Sequence, residues 1–237
     1  MKVLYLHYKR DLLPTVVIIV MLFFLLFAIG SEEALMALNQ LVANPIYQGN
    51  GEEPKVAFEC NVVWGTEYVP LLLDIFKEYD IRITFFVGGD WAQKNPELLL
   101  RMVEEGHEIG NHGYHHKHHS KLDLNGNRKE ISETEAVIYQ ITGIKTTLFA
   151  PPYGEFNKTT LQAAESLGYK TIMWSVDTID WRGDGVDKIT SRVLTKIHNG
   201  AFVLMHPTSD TVKALPKIIE ELTKRGYSIG TVSDLLK

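Results

Sequence analysis

Residues 84–116, TFFVGGDWAQKNPELLLRMVEEGHEIGNHGYHH, decide how this chain folds. A β-branched and aromatic run ending at Val87 reads as a strand, and the leucine-rich segment from Pro96 to Glu105 carries helical spacing. Gly106 stands where that helix ends, and a second strand, His107 to Gly110, follows at once. This is a β-α-β unit, the building block of parallel sheets.

The same alternation continues outward in both directions. Strands are expected at 56–62, 83–87, 107–110, 147–150, 171–176, 201–205 and 228–232, with helices over 67–79, 96–105, 128–142, 158–167, 186–197 and 212–225. Gly143, Gly168, Gly200 and Gly226 repeat the helix-ending position. The class is therefore α/β, read as a distorted (β/α) barrel of about seven strands, although an open doubly wound sheet would show the same alternation. No GxGxxG follows the first strand and no GxxxxGK[ST] occurs, so a nucleotide is not an expected ligand.

Composition narrows the partners. The 237 residues carry 24 Lys+Arg against 29 Asp+Glu, a net charge of -5, and are 45% hydrophobic. That balance fits one sizeable core, excludes a disordered or multi-span membrane chain, and disfavours nucleic acid. Cys60, the single cysteine, excludes an intramolecular disulfide.

At the N-terminus, Lys2, Lys9 and Arg10 precede the uncharged run Leu12 to Gly30, which Glu32 and Glu33 follow. Its length is about one bilayer span, and the flanking charges place residues 1–11 in the cytoplasm and the rest outside. Residues 12–30 are read as one transmembrane signal anchor, with cleavage near Ala28 and Gly30, and hence secretion, as the alternative. Residues 31–54 then form a linker, and the folded domain runs from 55 to 237.

Active sites of β/α barrels form at the C-terminal ends of the strands. Polar residues gather at those ends: Asn61 and Trp64; His112 and His116; Tyr153; Asp177, Asp180 and Trp181; His206. His112 and His116 are four apart, which on a helical turn would aim both imidazoles at one divalent ion; a solvated histidine-rich loop is the alternative. Asp180 could orient the His206 ring and keep it protonated as a general acid. One of Asp177 and Asp180 is expected to serve only the turn.

Taken together, the 84–116 stretch, FAPPYG (149–154), WSVDTIDW (174–181) and VLMHP (203–207) resemble the polysaccharide deacetylase family, also called the NodB-homology or carbohydrate esterase family 4 domain. The resemblance implies metal-dependent removal of N-acetyl or O-acetyl groups from a glycan such as peptidoglycan. It implies His112 and His116 as metal ligands, with zinc the expected ion, and Tyr153 as the residue whose N–H steadies the oxyanion. It further implies Asp180 as the tuner of the catalytic acid His206, and Trp181 as a wall of the acetyl pocket.

The first motif departs from the family pattern. Asn61 stands at the base aspartate, Val62 at a metal-binding aspartate, and Ala150 at the arginine that usually holds the base. A neutral amide cannot keep a proton taken from water, and valine cannot bind a metal. Strand alternation turns Ala57, Glu59 and Asn61 to the barrel interior. Glu59 is thus a candidate substitute base or weak third ligand, unless it pairs with a polar group in the barrel floor. Two functions follow: a deacetylase-like hydrolase, or a catalytically impaired relative that binds glycan through Trp64, Tyr153, Trp181 and His206.

Overall fold

Strand β1, Lys55–Val62, is buried from its second residue onward. Its side chains alternate between two apolar layers. Val56, Phe58, Cys60 and Val62 join the larger cluster with residues of the surrounding helices, while Ala57 joins Phe86, Leu148, Ala150, Ile172 and Phe202 in the barrel interior. The computed structural model describes residues 14, 16–25, 27 and 44–237.

Helix α1, Val69–Glu78, buries Val69, Leu72, Leu73 and Phe76, the i, i+3, i+4, i+7 stripe that faces a core. After it come β2 (Thr84–Val87), α2 (Gly89–Lys94), α3 (Pro96–Glu104), β3 (Glu108–Asn111), α4 (Leu124–Thr142), β4 (Leu148–Phe149) and α5 (Lys158–Ser166). The chain continues through β5 (Lys170–Thr171), β6 (Val176–Asp177), α6 (Val186–Lys196), β7 (Phe202–Met205), α7 (Ser209–Lys224), β8 (Ser228–Gly230) and α8 (Val232–Leu235).

The strands lie side by side in the order β5-β4-β3-β2-β1-β7-β6, all parallel, and β8 pairs with the first residues of β1. Among the described residues no ladder joins β5 to β6, so the sheet is a half-barrel and not a closed ring. That corrects the single expected strand 171–176. Its two ends belong to opposite edges of the ladder, and the chain between them crosses from one edge to the other.

Part of the expected linker also belongs to the domain. Ile46 N–H donates to Thr171 O at 2.9 Å, Met173 N–H to Ile46 O at 2.8 Å, and Gly49 N–H to Gly200 O at 2.8 Å. The Ile46 side chain packs on the interior cluster. An unpaired strand edge needs partners for its backbone groups, and this segment supplies them. Two further differences are short helices: α2 was not expected, and α8 starts at Val232 where a strand was expected to end, because the Thr231 and Asp234 side chains form a capping box there.

Of the expected membrane anchor, residues 14, 16–25 and 27 are described; they are helical, and each of their side chains is exposed. Its other residues, with 1–11 and 31–43, lie outside the described residues. Among the described residues no helix is long and apolar enough to cross a membrane.

Candidate active site

The C-terminal ends of the strands open on one cleft of about 490 Å³. On one wall, His206 follows β7. Its Nδ1 lies 2.8 Å from Asp180 Oδ1, and Asp180 Oδ2 accepts from the His206 backbone N–H and the Thr211 hydroxyl, both at 2.6 Å. Asp180 is buried, so its charge is met by these donors. With Nδ1 engaged, Nε2 is the nitrogen left for a substrate. Trp64 stacks on the ring, with centroids 5.6 Å apart and planes 10° from parallel.

The turn that carries Asp180 is itself fastened. Ile179 is left-handed at φ 52°, and Arg192 on α6 donates to Thr178 O at 2.9 Å and to the Asp184 carboxylate. Arg192 gave no signal in the sequence, because its partners belong to a turn and not to a motif.

The opposite wall holds the histidine pair. His112 Nδ1 is 2.7 Å from Ala150 O. A carbonyl only accepts, so Nδ1 carries the proton and Nε2 keeps its lone pair. Burial, then His116 beside it, push the His112 imidazole well below its ordinary range. His116, 5.1 Å away between ring centroids, is brought down to about 4 by burial and by His206. The two rings do not share a helical turn as the spacing implied. His116 reaches its place through a left-handed backbone at φ 53°, in a loop.

Glu130 on α4 fixes that loop. Its buried carboxylate accepts from His115 N–H at 2.7 Å, faces His115 Nδ1 at 3.1 Å and meets Lys117 Nζ at 2.7 Å, gripping the residues on both sides of His116. Tyr153, left-handed at φ 61°, lays its ring against His116 and His118 at 4.4 and 4.2 Å. Tyr153, Trp181 and Trp64 are the exposed aromatics of the cleft. Gly154 must be glycine, since a Cβ would meet the Trp174 ring at 2.6 Å.

In the floor, Asn61 lines the cleft with its Oδ1 buried and unpartnered. Glu59 does not line it. It lies below Asn61, fully enclosed, and its Oε2 finds no donor, so the expected floor partner is missing for that oxygen. Burial, with Asp177 adding repulsion, raises the Glu59 carboxyl well above its usual range. Asp177 does line the cleft, and its Oδ1 also accepts from Ile179 N–H at 2.8 Å. The sequence left open which of Asp177 and Asp180 serves the turn; Asp177 serves the turn and lines the site as well.

The donors available to a metal are two neutral imidazoles. Among the described residues no group of three His, Cys, Asp or Glu side chains is arranged to hold an ion, and Val62 faces the helix-side cluster. Such a set fits a loosely bound divalent cation completed by water, and does not fit a closed three-ligand zinc site.

A family model for polysaccharide deacetylase matches residues 48–172. This chain belongs to the polysaccharide deacetylase family. Its relatives include YlxY of Bacillus subtilis, described as uncharacterized, 42% identical over 84% of this chain and 62% of that protein. A peptidoglycan-N-acetylglucosamine deacetylase of Bacillus cereus is 35% identical over 72% of this chain and 64% of its own length. The chain therefore spans less than two thirds of the length of these two relatives. Among solved structures, BA3943 of Bacillus anthracis, described as a CE4 family pseudoenzyme, superposes with a TM-score of 0.81 at 40% identity, covering 84% of this chain and 71% of that one. A mutant of BA3943 is described as having restored enzymatic activity.

Proposed function

We propose that this domain is a hydrolase that removes N-acetyl groups from a cell-wall glycan such as peptidoglycan. The observation that carries the reading is the cleft itself: the Asp180-held His206 on one wall, the neutral His112 and His116 on the other, and aromatic rings between them. A divalent ion, zinc in the first instance, would be held by His112 and His116 with water, and would supply polarisation of the acetyl carbonyl. The protein's own groups do the rest. Trp64, Tyr153 and Trp181 offer apolar faces to sugar rings, and His206 delivers a proton to the departing amine nitrogen. O-acetyl groups fit the same chemistry.

Asn61 favours a second reading, a glycan-binding protein without turnover, and the likeness to a described pseudoenzyme supports it. Acetate release from an N-acetylated glucosamine oligomer separates the two. Wild type should release acetate, and Asn61→Asp should release it faster. A wild type that binds the oligomer, releases none and gains turnover through Asn61→Asp is a binder.

The chain is further proposed to be membrane-anchored with its domain outside the cell. The exposed apolar side chains of the described residues between 16 and 27 support this, because such a helix face is stable only when covered by lipid or protein. Fractionation with protease treatment of intact cells tests it; a protease-resistant soluble pool inside the cell would overturn it.

A further inference from the structure

We infer that Asp177 is the general base of this site, taking over the role that Asn61 cannot fill. The inference rests on the hydrolase reading above. Asp177 is the one carboxylate among the described residues lining the cleft, which it shares with Asn61, His112, His116 and His206. Asn61 can hold a water through its unpartnered Oδ1, but an amide cannot retain that water's proton.

The sheet register shows why the choice falls on Asp177 and not on Glu59. Both residues pair with Leu204, Glu59 from β1 and Asp177 from β6 on the other side of β7, so the two carboxyls occupy one layer of the half-barrel. Glu59 is on a central strand, closed in by β2 and β7, and is 2% exposed. Asp177 is on the edge strand, where the unclosed ladder lets the cleft reach down to it. Its carboxylate is aimed by the Ile179 N–H, which donates to Oδ1 at 2.8 Å. Burial is the largest influence on the group and leaves it a stronger base than an exposed aspartate.

The step balances as follows. Water oxygen bonds to the acetyl carbonyl carbon while Asp177 takes one of its protons, and the carbonyl electron pair moves onto oxygen. The tetrahedral species collapses, the C–N bond breaks, and protonated His206 gives its proton to the nitrogen. Acetic acid and a free amine leave, the acid passing its remaining proton to solvent or to the amine, and the proton on Asp177 returns through solvent to His206.

The test uses the full chain in detergent with a β-1,4-linked N-acetylglucosamine oligomer and divalent zinc. Asp177→Asn, which keeps an acceptor for the Ile179 N–H, should lower kcat by about 10²- to 10⁴-fold, the range of a lost general base, with oligomer affinity changed less than about threefold. Asp177→Ala should be equally slow and partly rescued by added formate, a response that loss of a merely structural carboxylate would not give. Glu59→Gln should stay within a few-fold of wild type. A wild-type rate in Asp177→Asn, no rescue of a folded Asp177→Ala, or a Glu59→Gln as slow as Asp177→Asn would each overturn the assignment. If wild type is silent while Asn61→Asp turns over, the hydrolase reading falls and takes Asp177 with it.

Discussion

Gly65 packs backbone to backbone on Pro207, so closely that a Cβ at residue 65 would overlap the Pro207 carbonyl oxygen. Gly65 also has φ 67°, where a side chain is strained. The turn that presents Trp64 is therefore seated directly on the residue after His206. Gly65→Ala should cost about 1–2 kcal/mol from the backbone alone, and more from the overlap, since neither backbone can yield like a flexible side chain. Urea unfolding measures the loss, and oligomer affinity should fall with it. An alanine variant as stable as wild type would mean that residue 65 and the Pro207 backbone are not in contact.

Asp180 holds His206 through both of its oxygens while a third donor, Thr211, completes the set. Asp180→Asn replaces one acceptor with an NH₂ that faces N–H or O–H donors. The expected loss is about 1–3 kcal/mol of stability, the cost of leaving buried polar groups unmatched. Thr211→Val removes one donor and should cost roughly 0.5–1.5 kcal/mol. If both variants unfold at the wild-type denaturant concentration, the network contributes nothing measurable.

The sequence shows features that rest on local periodicity and conceals those that rest on distant partners. The alternation in β1 was legible because Val56, Phe58, Cys60 and Val62 are apolar at period two, and it correctly turned Glu59 and Asn61 inward. Gathering of the polar residues at the strand ends followed from the β/α alternation. The split of 171–176 was not legible: an unbroken β-forming run does not reveal that its ends pair with opposite edges of a sheet. His112 and His116 were found by spacing, but for a helix they do not form, since the left-handed turn at His116 is imposed from Glu130, well along the chain. Ile46 pairs through isolated bridges, which leave no run to recognise.

Glu130 is the strongest test of that distant control. Burial pushes its carboxyl up, but the His115 N–H, the Lys117 ammonium and the His115 ring together bring it below the usual range. Glu130→Gln keeps one acceptor and loses the charge that Lys117 answers, so the loop should loosen at about 1–3 kcal/mol. His116 should then hold a divalent ion more weakly, read by titrating cobalt against the protein and comparing with His116→Ala. If Glu130→Gln loses stability but binds cobalt as wild type does, Glu130 supports the fold and not the histidine pair.

His107 gives the chain a pH dependence that can be isolated. Its ring is buried, set edge-on to Phe76 and Phe85, and its Nδ1 accepts from Ile83 N–H at 3.2 Å. Protonation would turn that nitrogen into a second donor facing the first. Burial is the main cause of a folded-state pKa of about 4, with Arg82 and Arg101 adding to it against the opposing Glu105. Because the folded value lies below the unfolded one, the unfolded chain takes up a proton first as pH falls. Stability from neutral His107 is thus complete above about pH 6.5, declines between roughly 6.5 and 4, and levels off below. The full decline is at most ~3 kcal/mol for a depression of about two and a half units. Glu59 and Asp177, with raised values, act in the opposite direction over overlapping pH, so the total curve alone does not isolate His107. Comparison with His107→Gln does, because glutamine can still accept from Ile83 and does not titrate. The stability advantage of wild type over the variant should shrink by up to ~3 kcal/mol from pH 7 to pH 4. An advantage that stays constant across that range would show that His107 titrates as freely in the folded chain as in the unfolded one.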